Sequence, residues 1–223
     1  MPIGHLLFRI FAIVWIDLLL AGDNALVIAM AVRSLPARER RIGTICGAGA
    51  AVALRVGLTF VAAKLLNVPY LKLAGGLLVL WIAVKVLMDA SETPDAAAAP
   101  KRMMQAIWYI VLADLTMSTD NVLAVAGASG GSFELIVFGL CLSIPFVVFS
   151  ANLLAGLMNR YPITMYIGAA ILGRTGGDMI MTDGFVDGLL HPSAMACYIV
   201  EGALAVAVVV IGKLLCARRP SCS

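Results

Sequence analysis

The sequence predicts an all-α protein, a polytopic bundle of transmembrane helices. Three observations predict it. The 223 residues are 62% hydrophobic and only 13% charged, where a soluble domain carries about 25% charge. Mean hydropathy is +1.01, and several apolar runs approach the ~20 residues that cross a bilayer. A polar motif inside one such run also recurs inside another, which divides the chain into two related halves.

Seven spans follow in order, at 7–32, 42–65, 70–88, 104–127, 133–157, 162–181 and 193–216. The first is apolar from Arg9 to Val32 except for Asp17, Asp23 and Asn24. Those polar residues, and the reappearance of their motif far from the N-terminus, argue against a signal peptide. The second span follows an Arg-rich loop and holds "GAGAAVA", a run suited to close helix packing; it carries Arg55. The third carries Lys85. The stretch "DASETPDAAAAPKR" then has the Pro, Ala and charge mix of a solvated linker. Beyond it, the fourth span repeats the motif and the fifth is mostly apolar. The sixth carries Arg174 and Asp178, and the seventh carries Glu201. The expected organisation is a first three-helix repeat over 1–89, a linker over 90–103, a second repeat over 104–182, and an additional helix with a tail over 183–223.

The motif "DLLLAGDNALVIA" begins at Asp17, and "DLTMSTDNVLAVA" begins at Asp114. They align without a gap, so Asp114, Asp120 and Asn121 stand 97 positions after Asp17, Asp23 and Asn24. Each motif falls in the first of three spans. An odd number of spans per half makes the second half start from the opposite side of the membrane, so the halves are expected to be inverted repeats. Transporters built this way hold their ion near the midplane, between the repeats. Lys and Arg favour one set of alternating loops by ten to three: Arg33, Arg38, Arg40, Arg41, Lys101, Arg102, Arg160, Lys213, Arg218 and Arg219 against Arg9, Lys64 and Lys72. The positive side faces the cytoplasm. The expected location is the inner membrane, with the N-terminus outside and the C-terminus inside.

Charges inside spans carry the functional argument. Asp17, Asp23, Asp114, Asp120, Asp178 and Glu201 outnumber Arg55, Lys85 and Arg174. Each charge at mid-bilayer costs about 2.5–3.5 kcal/mol on insertion scales. Pairing absorbs the bases but leaves acids over, to be met by protons, a bound cation or water. Asp17 and Asn24 are seven apart and share a helical face, as do Asp114 and Asn121. Asp23 and Asp120 lie about 120° away on a regular helix. A break near Gly22 or Ser118–Thr119 would change that. Four carboxylates and two amides make an all-oxygen set, suited to Mn²⁺, Mg²⁺ or Ca²⁺. Asp23 and Asp120 are expected as equivalent ligands, one per repeat. Arg55, Lys85 and Arg174 are expected in ion pairs, and Asp178 and Glu201 either pair or carry a proton.

Other classes find less support. No basic-aromatic stripe suggests nucleic acid. The five cysteines include no C-x-x-C pair, and His5 and His191 lie at span edges. No prosthetic group is implied, and no nucleophile-base or H-E-x-x-H motif supports an enzyme. The expected partners are a metal ion as substrate and the lipid bilayer; oligomeric state is left open.

The paired motifs, with "ALRVGLTF", "WIAVKVLMD" and "MIMTD", resemble those of the TerC family of integral membrane proteins, over residues 7–215. The compact length resembles its YjbE-type branch, and the fold is similar to that of the wider LysE superfamily of exporters. The resemblance implies Mn²⁺ export, with Asp17, Asp23, Asn24, Asp114, Asp120 and Asn121 as metal-site residues. Arg174 departs from the expected pattern, and its i, i+4 neighbour Asp178 is its expected partner. No ATP-binding motif is present, so export is expected to be coupled to an ion gradient, as proton antiport. The alternatives are a metal-dependent intramembrane enzyme and a non-transporting member of a tellurium- or metal-resistance complex.

Overall fold

The computed structural model describes residues 10–17, 22–65, 70–90, 99–129 and 132–217. Within its helices, the side chains of 60–65, 90, 99, 100, 119, 120, 122, 123 and 126–128 lie outside the described set. So do Arg9, Arg218, Arg219 and most of the linker.

All regular structure among the described residues is helical: α1 (Ile10–Asp17), α2 (Gly22–Val32), α3 (Ala37–Leu65), α4 (Leu71–Ala90), α5 (Ala99–Ser129), α6 (Phe133–Arg160), α7 (Ile163–Met181), the short α8 (Gly184–Leu190) and α9 (Ala194–Ala217). Four helices are long and apolar enough to cross a membrane: Ala37–Thr59 of α3, Leu71–Asp89 of α4, α6 and α9. The pair α1 and α2 makes a fifth if counted as one bent span. At 1.5 Å per residue, the 19 residues of α7 reach roughly 28 Å. That is near the hydrocarbon thickness, but α7 carries Arg174 and Asp178 along the way. The 31-residue α5 is longer still, and carries Lys101, Arg102, Asp114 and Asp120.

The axes of α1 and α2 differ by 52°. Asp17 is the last described residue of α1, while Asp23 and Asn24 open α2. The second copy of the motif lies inside the unbroken α5. In α2, Asp23 sits in the first turn, where the positive end of the helix dipole favours a carboxylate.

Cross-packing positions the site. Helix α3 packs along α5 and α6 along α2, while α2 meets α5 and α4 meets α7. The second helix of each half thus lies on the first helix of the other. Val27, Met30, Ile82, Val86, Ala113, Met158 and Leu172 form the main core, drawn from five helices. Glycines set the closest approach. A Cβ added at Gly76 of α4 would lie 2.6 Å from the Gly176 carbonyl of α7, and one at Gly173 would lie 2.8 Å from Ala205 Cα of α9. Helix α9 buries only Glu201, Val208 and Gly212. It leaves Tyr198, Ile199, Val206 and Val210 exposed, as a lipid-facing helix does.

One buried carboxylate ties loops together. Asp183 caps α8 by accepting from the Phe185 N–H at 3.0 Å, and its second oxygen accepts from the Leu73 N–H of α4 at 3.0 Å. Two orphan helix-end donors are satisfied by one side chain. Tyr70, held at φ 63°, packs its ring against Phe185 at 4.8 Å beside this junction.

Candidate functional site

Arg55 stands in the middle of α3, on the face pressed against α5. Its guanidinium carries five N–H donors in a rigid fork, and the fold gives three of them partners from two other helices. Nη1 donates to Asp17 Oδ1 at the end of α1, and Nη2 donates to Asp114 Oδ1 of α5. Nε donates to Ser118 Oγ at 3.2 Å, one turn beyond Asp114. The hydroxyl of Ser143, on α6, donates either to Asp17 Oδ2 or to its own Leu140 carbonyl at 2.8 Å. The centre is dry: Asp17, Asp114 and Arg55 are 1%, 3% and 4% exposed.

The two acids are the repeat-related pair, the first residue of each motif. They face one base, so the cluster carries a net charge of −1 with all three ionised. Its polar groups are not all satisfied. Among the described residues, Asp114 Oδ2 and both ends of the buried Asn24 amide have no hydrogen-bond partner. Buried groups left in this way are uncommon and costly. They border a small cavity lined by Asp17, Asn24, Arg55 and Asp114, with Ile28 and Ile144 among its apolar walls. It gives about 20 Å³ to the centre of a water-sized sphere, enough for one water or one small ion. A second void of about 10 Å³ adjoins it, sharing Asn24 and Asp114.

The remaining predicted residues go to different places. Asp23 is half-buried and accepts from Thr175 Oγ1 of α7 at 2.9 Å. The side chain of Asp120 lies outside the described residues. Asn121 is buried on α5, and Lys85 is half-buried on α4. Arg174 reaches across to α9, where Nε donates to Glu201 Oε2 at 3.0 Å. Asp178, the expected local partner four residues along the same helix, adds an electrostatic attraction. Tertiary packing supplies another: Gly173 and Gly177 let α9 approach α7 closely enough to bring Glu201 within reach. Among the described residues, no three His, Cys, Asp or Glu side chains gather as a metal cage. The cysteines at 46, 141, 197 and 216 are free thiols. Sequence reasoning missed Ser143, Thr175 and Asp183. Ser143 had one available signal, a lone hydroxyl in an apolar run, two residues before the helix-interior Pro145.

A larger cavity, about 160 Å³ on the same measure, lies farther along the seam between α2 and α5. Met30, Ala31, Ala106 and Tyr109 line it, about one turn from the residues that line the smaller voids. Three of its polar groups bond to one another. Gln105 Nε2 donates to Asp89 Oδ2 at 3.1 Å and to Tyr109 Oη at 2.7 Å, and the Tyr109 hydroxyl donates to Asp89 Oδ2 at 3.4 Å. It is larger than the void at Arg55, but the unsatisfied groups of Asp114 and Asn24 border the two smaller voids and not this one.

The fold and the site define a polytopic helical membrane protein that buries a carboxylate–guanidinium–carboxylate cluster among its helices. The chain belongs to the TerC family of integral membrane proteins, whose sequence pattern matches residues 4–220. YjbE of Bacillus subtilis strain 168, described as an uncharacterized membrane protein, is 45% identical over 177 residues, covering 79% of this chain and 81% of that protein. YkoY and YceF of the same organism, described likewise, are 25% identical over 186 residues and 26% identical over 138. Those alignments cover 75% and 58% of this chain, and 57% and 54% of the relatives. No solved structure matches the chain.

Proposed function

We propose that this protein exports divalent metal cations, Mn²⁺ foremost, across the inner membrane by ion-coupled alternating access, with protons as the countertransported ion. The observation that carries the proposal is the unsatisfied oxygen of Asp114 beside the unsatisfied Asn24 amide, at a cavity the size of one ion, in a cluster that carries −1 when both acids are ionised. A pair of acids that only held helices together would end neutral and fully bonded. Carboxylate and amide oxygens are ligands for hard or borderline divalent ions, and no thiol or imidazole joins them. Protonation of the acids would weaken the site and assist release.

The architecture that goes with this function is two inverted three-helix repeats, 1–89 and 104–182, giving seven spans with α9 outside the duplication. Its fold is of the LysE-superfamily kind. Reciprocal packing of α3 on α5 and α6 on α2 supports the repeat, as does the convergence of Asp17 with Asp114. In the orientation implied by the Lys and Arg distribution, the 160 Å³ cavity lies at the cytoplasmic end and serves as the entry vestibule.

Two measurements test this. Cells making the protein should accumulate less manganese after a manganese load, with zinc and copper little changed. Unchanged manganese, or a selective fall in zinc, would refute the assignment. For topology, a membrane-impermeant thiol reagent added outside should label Ser132→Cys and miss Ala97→Cys, in a background lacking other reactive thiols. The reverse pattern would overturn both the orientation and the inverted repeat.

A further inference from the structure

We infer that Arg55 is a tethered counter-ion that competes with the transported cation for Asp17 and Asp114. The cation binds only as the guanidinium withdraws, and is expelled as it returns. This inference rests on the cation-export function proposed above and adds to it the residue that empties the site.

Coordination gives the first argument. With Arg55 in place, Asp17 Oδ1 and Asp114 Oδ1 are engaged by its two Nη groups, and Asp17 Oδ2 lies within reach of the Ser143 hydroxyl. Among the described polar atoms lining the cavity, a cation finds only Asp114 Oδ2 and the Asn24 amide oxygen unclaimed. Octahedral Mg²⁺-like ions take six oxygens, and Ca²⁺ takes 6–8; two are too few to strip a hydrated ion. With the guanidinium withdrawn, Asp17 Oδ1 and Asp114 Oδ1 join them, and both acids contribute charge.

Charge gives the second. Two carboxylates with a guanidinium carry −1. The same carboxylates with a divalent ion and no guanidinium are neutral. All three together would leave a net positive charge in a dry centre. Exclusion is therefore the cheaper arrangement electrostatically. A guanidinium does not lose its proton at physiological pH, so it leaves the acids by moving, not by titrating. Its presence also protects the empty carrier, because two bare carboxylates at this depth would be far more costly than a paired set.

Asymmetry gives the third. The acids are duplicated but the base is not. Helix α6, the counterpart of α3 in the second half, carries no Lys or Arg before Arg160, at its last turn. It offers the neutral Ser143 instead. One mobile cation serving a symmetric pair of acids is what a competitor requires. Two fixed structural ion pairs would need a base for each.

The test measures Mn²⁺ binding to purified protein in nanodiscs, from the loss of the free-ion paramagnetic resonance signal, alongside Mn²⁺ flux in proteoliposomes. Arg55→Gln should bind Mn²⁺ about tenfold or more tightly than the parent, because a competing charge has gone. Its flux should show a lower KM and a lower maximal rate, because release has lost its driver. Arg55→Lys should restore binding to within about threefold of the parent, since it returns the charge without the fork. If Arg55→Gln does not accumulate, Ser118→Ala replaces it. Loss of the Nε hydrogen bond should loosen the guanidinium and lower Kd about threefold. Unchanged or weaker Mn²⁺ binding in a folded Arg55→Gln or Ser118→Ala protein overturns the inference, and leaves cation export standing if the parent still transports. A parent that neither binds nor moves Mn²⁺ removes both.

Discussion

Asp17→Asn and Asp114→Asn should each reduce Mn²⁺ efflux to about 1% of the parent or less, with both proteins accumulating normally. Asparagine keeps the shape and can still accept from Arg55, so helix packing survives. The cluster changes from net −1 to neutral, which relieves desolvation instead of adding to it. The loss falls on the cation. At an effective dielectric of 20, two unit charges 4 Å apart interact by about 4 kcal/mol, and a divalent ion roughly doubles that. Even half of the smaller figure is more than a tenfold change in affinity, and the full figure is about a thousandfold. The two substitutions should fail alike, because the acids are related by the repeat and face the same point. Efflux at matched protein levels is the measurement. Retained efflux in either variant would remove that aspartate from the transport site and leave the Arg55 cluster a packing device.

Gly76→Val should have the largest effect on stability. A Cβ at Gly76 lies 2.6 Å from the Gly176 carbonyl oxygen, 2.7 Å from Ile180 Cγ1 and 3.2 Å from the Ile180 backbone nitrogen. Two of these are main-chain atoms of a packed helix and cannot swing aside. The branched side chain must push α4 from α7, at a cost on the order of 3 kcal/mol or more. Gly57→Ala is the matched control. Its Cβ meets nothing within 4 Å, and replacing a mid-helix glycine by alanine should gain about 0.5–1 kcal/mol. Thermal unfolding of detergent-purified protein, read by size-exclusion profile, should show the first variant lost or much lowered and the second equal to the parent or above it. A Gly76→Val protein as stable as the parent would mean that α4 and α7 do not meet through these glycines.

Local pattern and tertiary contact divide what the sequence could show. The helical membrane class was legible because burial in lipid demands apolar length, and that is written residue by residue. The duplicated motif was legible because polar residues are expensive there and recur only for a reason. Arg55 could be expected in an ion pair for the same cause. Its partners could not be chosen, because the choice depends on α3 lying along α5. The i, i+4 rule pointed Arg174 to Asp178, which attracts it electrostatically, while its hydrogen bond goes to Glu201, 27 residues on. Spacing on one helix cannot anticipate how closely glycines admit another. Asp23 shows the same limit: its partner Thr175 is 152 positions away, and the 52° turn between α1 and α2 breaks the regular helix that facing arguments assume. Asp183 ends the "MIMTD" stretch and caps α8 locally, but its second bond, to the Leu73 N–H, and the contact of Ser143 with Asp17 come from what packs beside them.

The central claim is that a surplus of buried negative charge, shared by Asp17 and Asp114, carries a divalent ion across the bilayer. Uptake of radiolabelled Mn²⁺ into proteoliposomes holding only this protein, with an outward proton gradient imposed, tests it most directly. The account predicts uptake that saturates with Mn²⁺, collapses when the gradient is dissipated, and is absent from vesicles holding the Asp114→Asn protein. Equal Mn²⁺ entry into parent, Asp114→Asn and protein-free vesicles would contradict it.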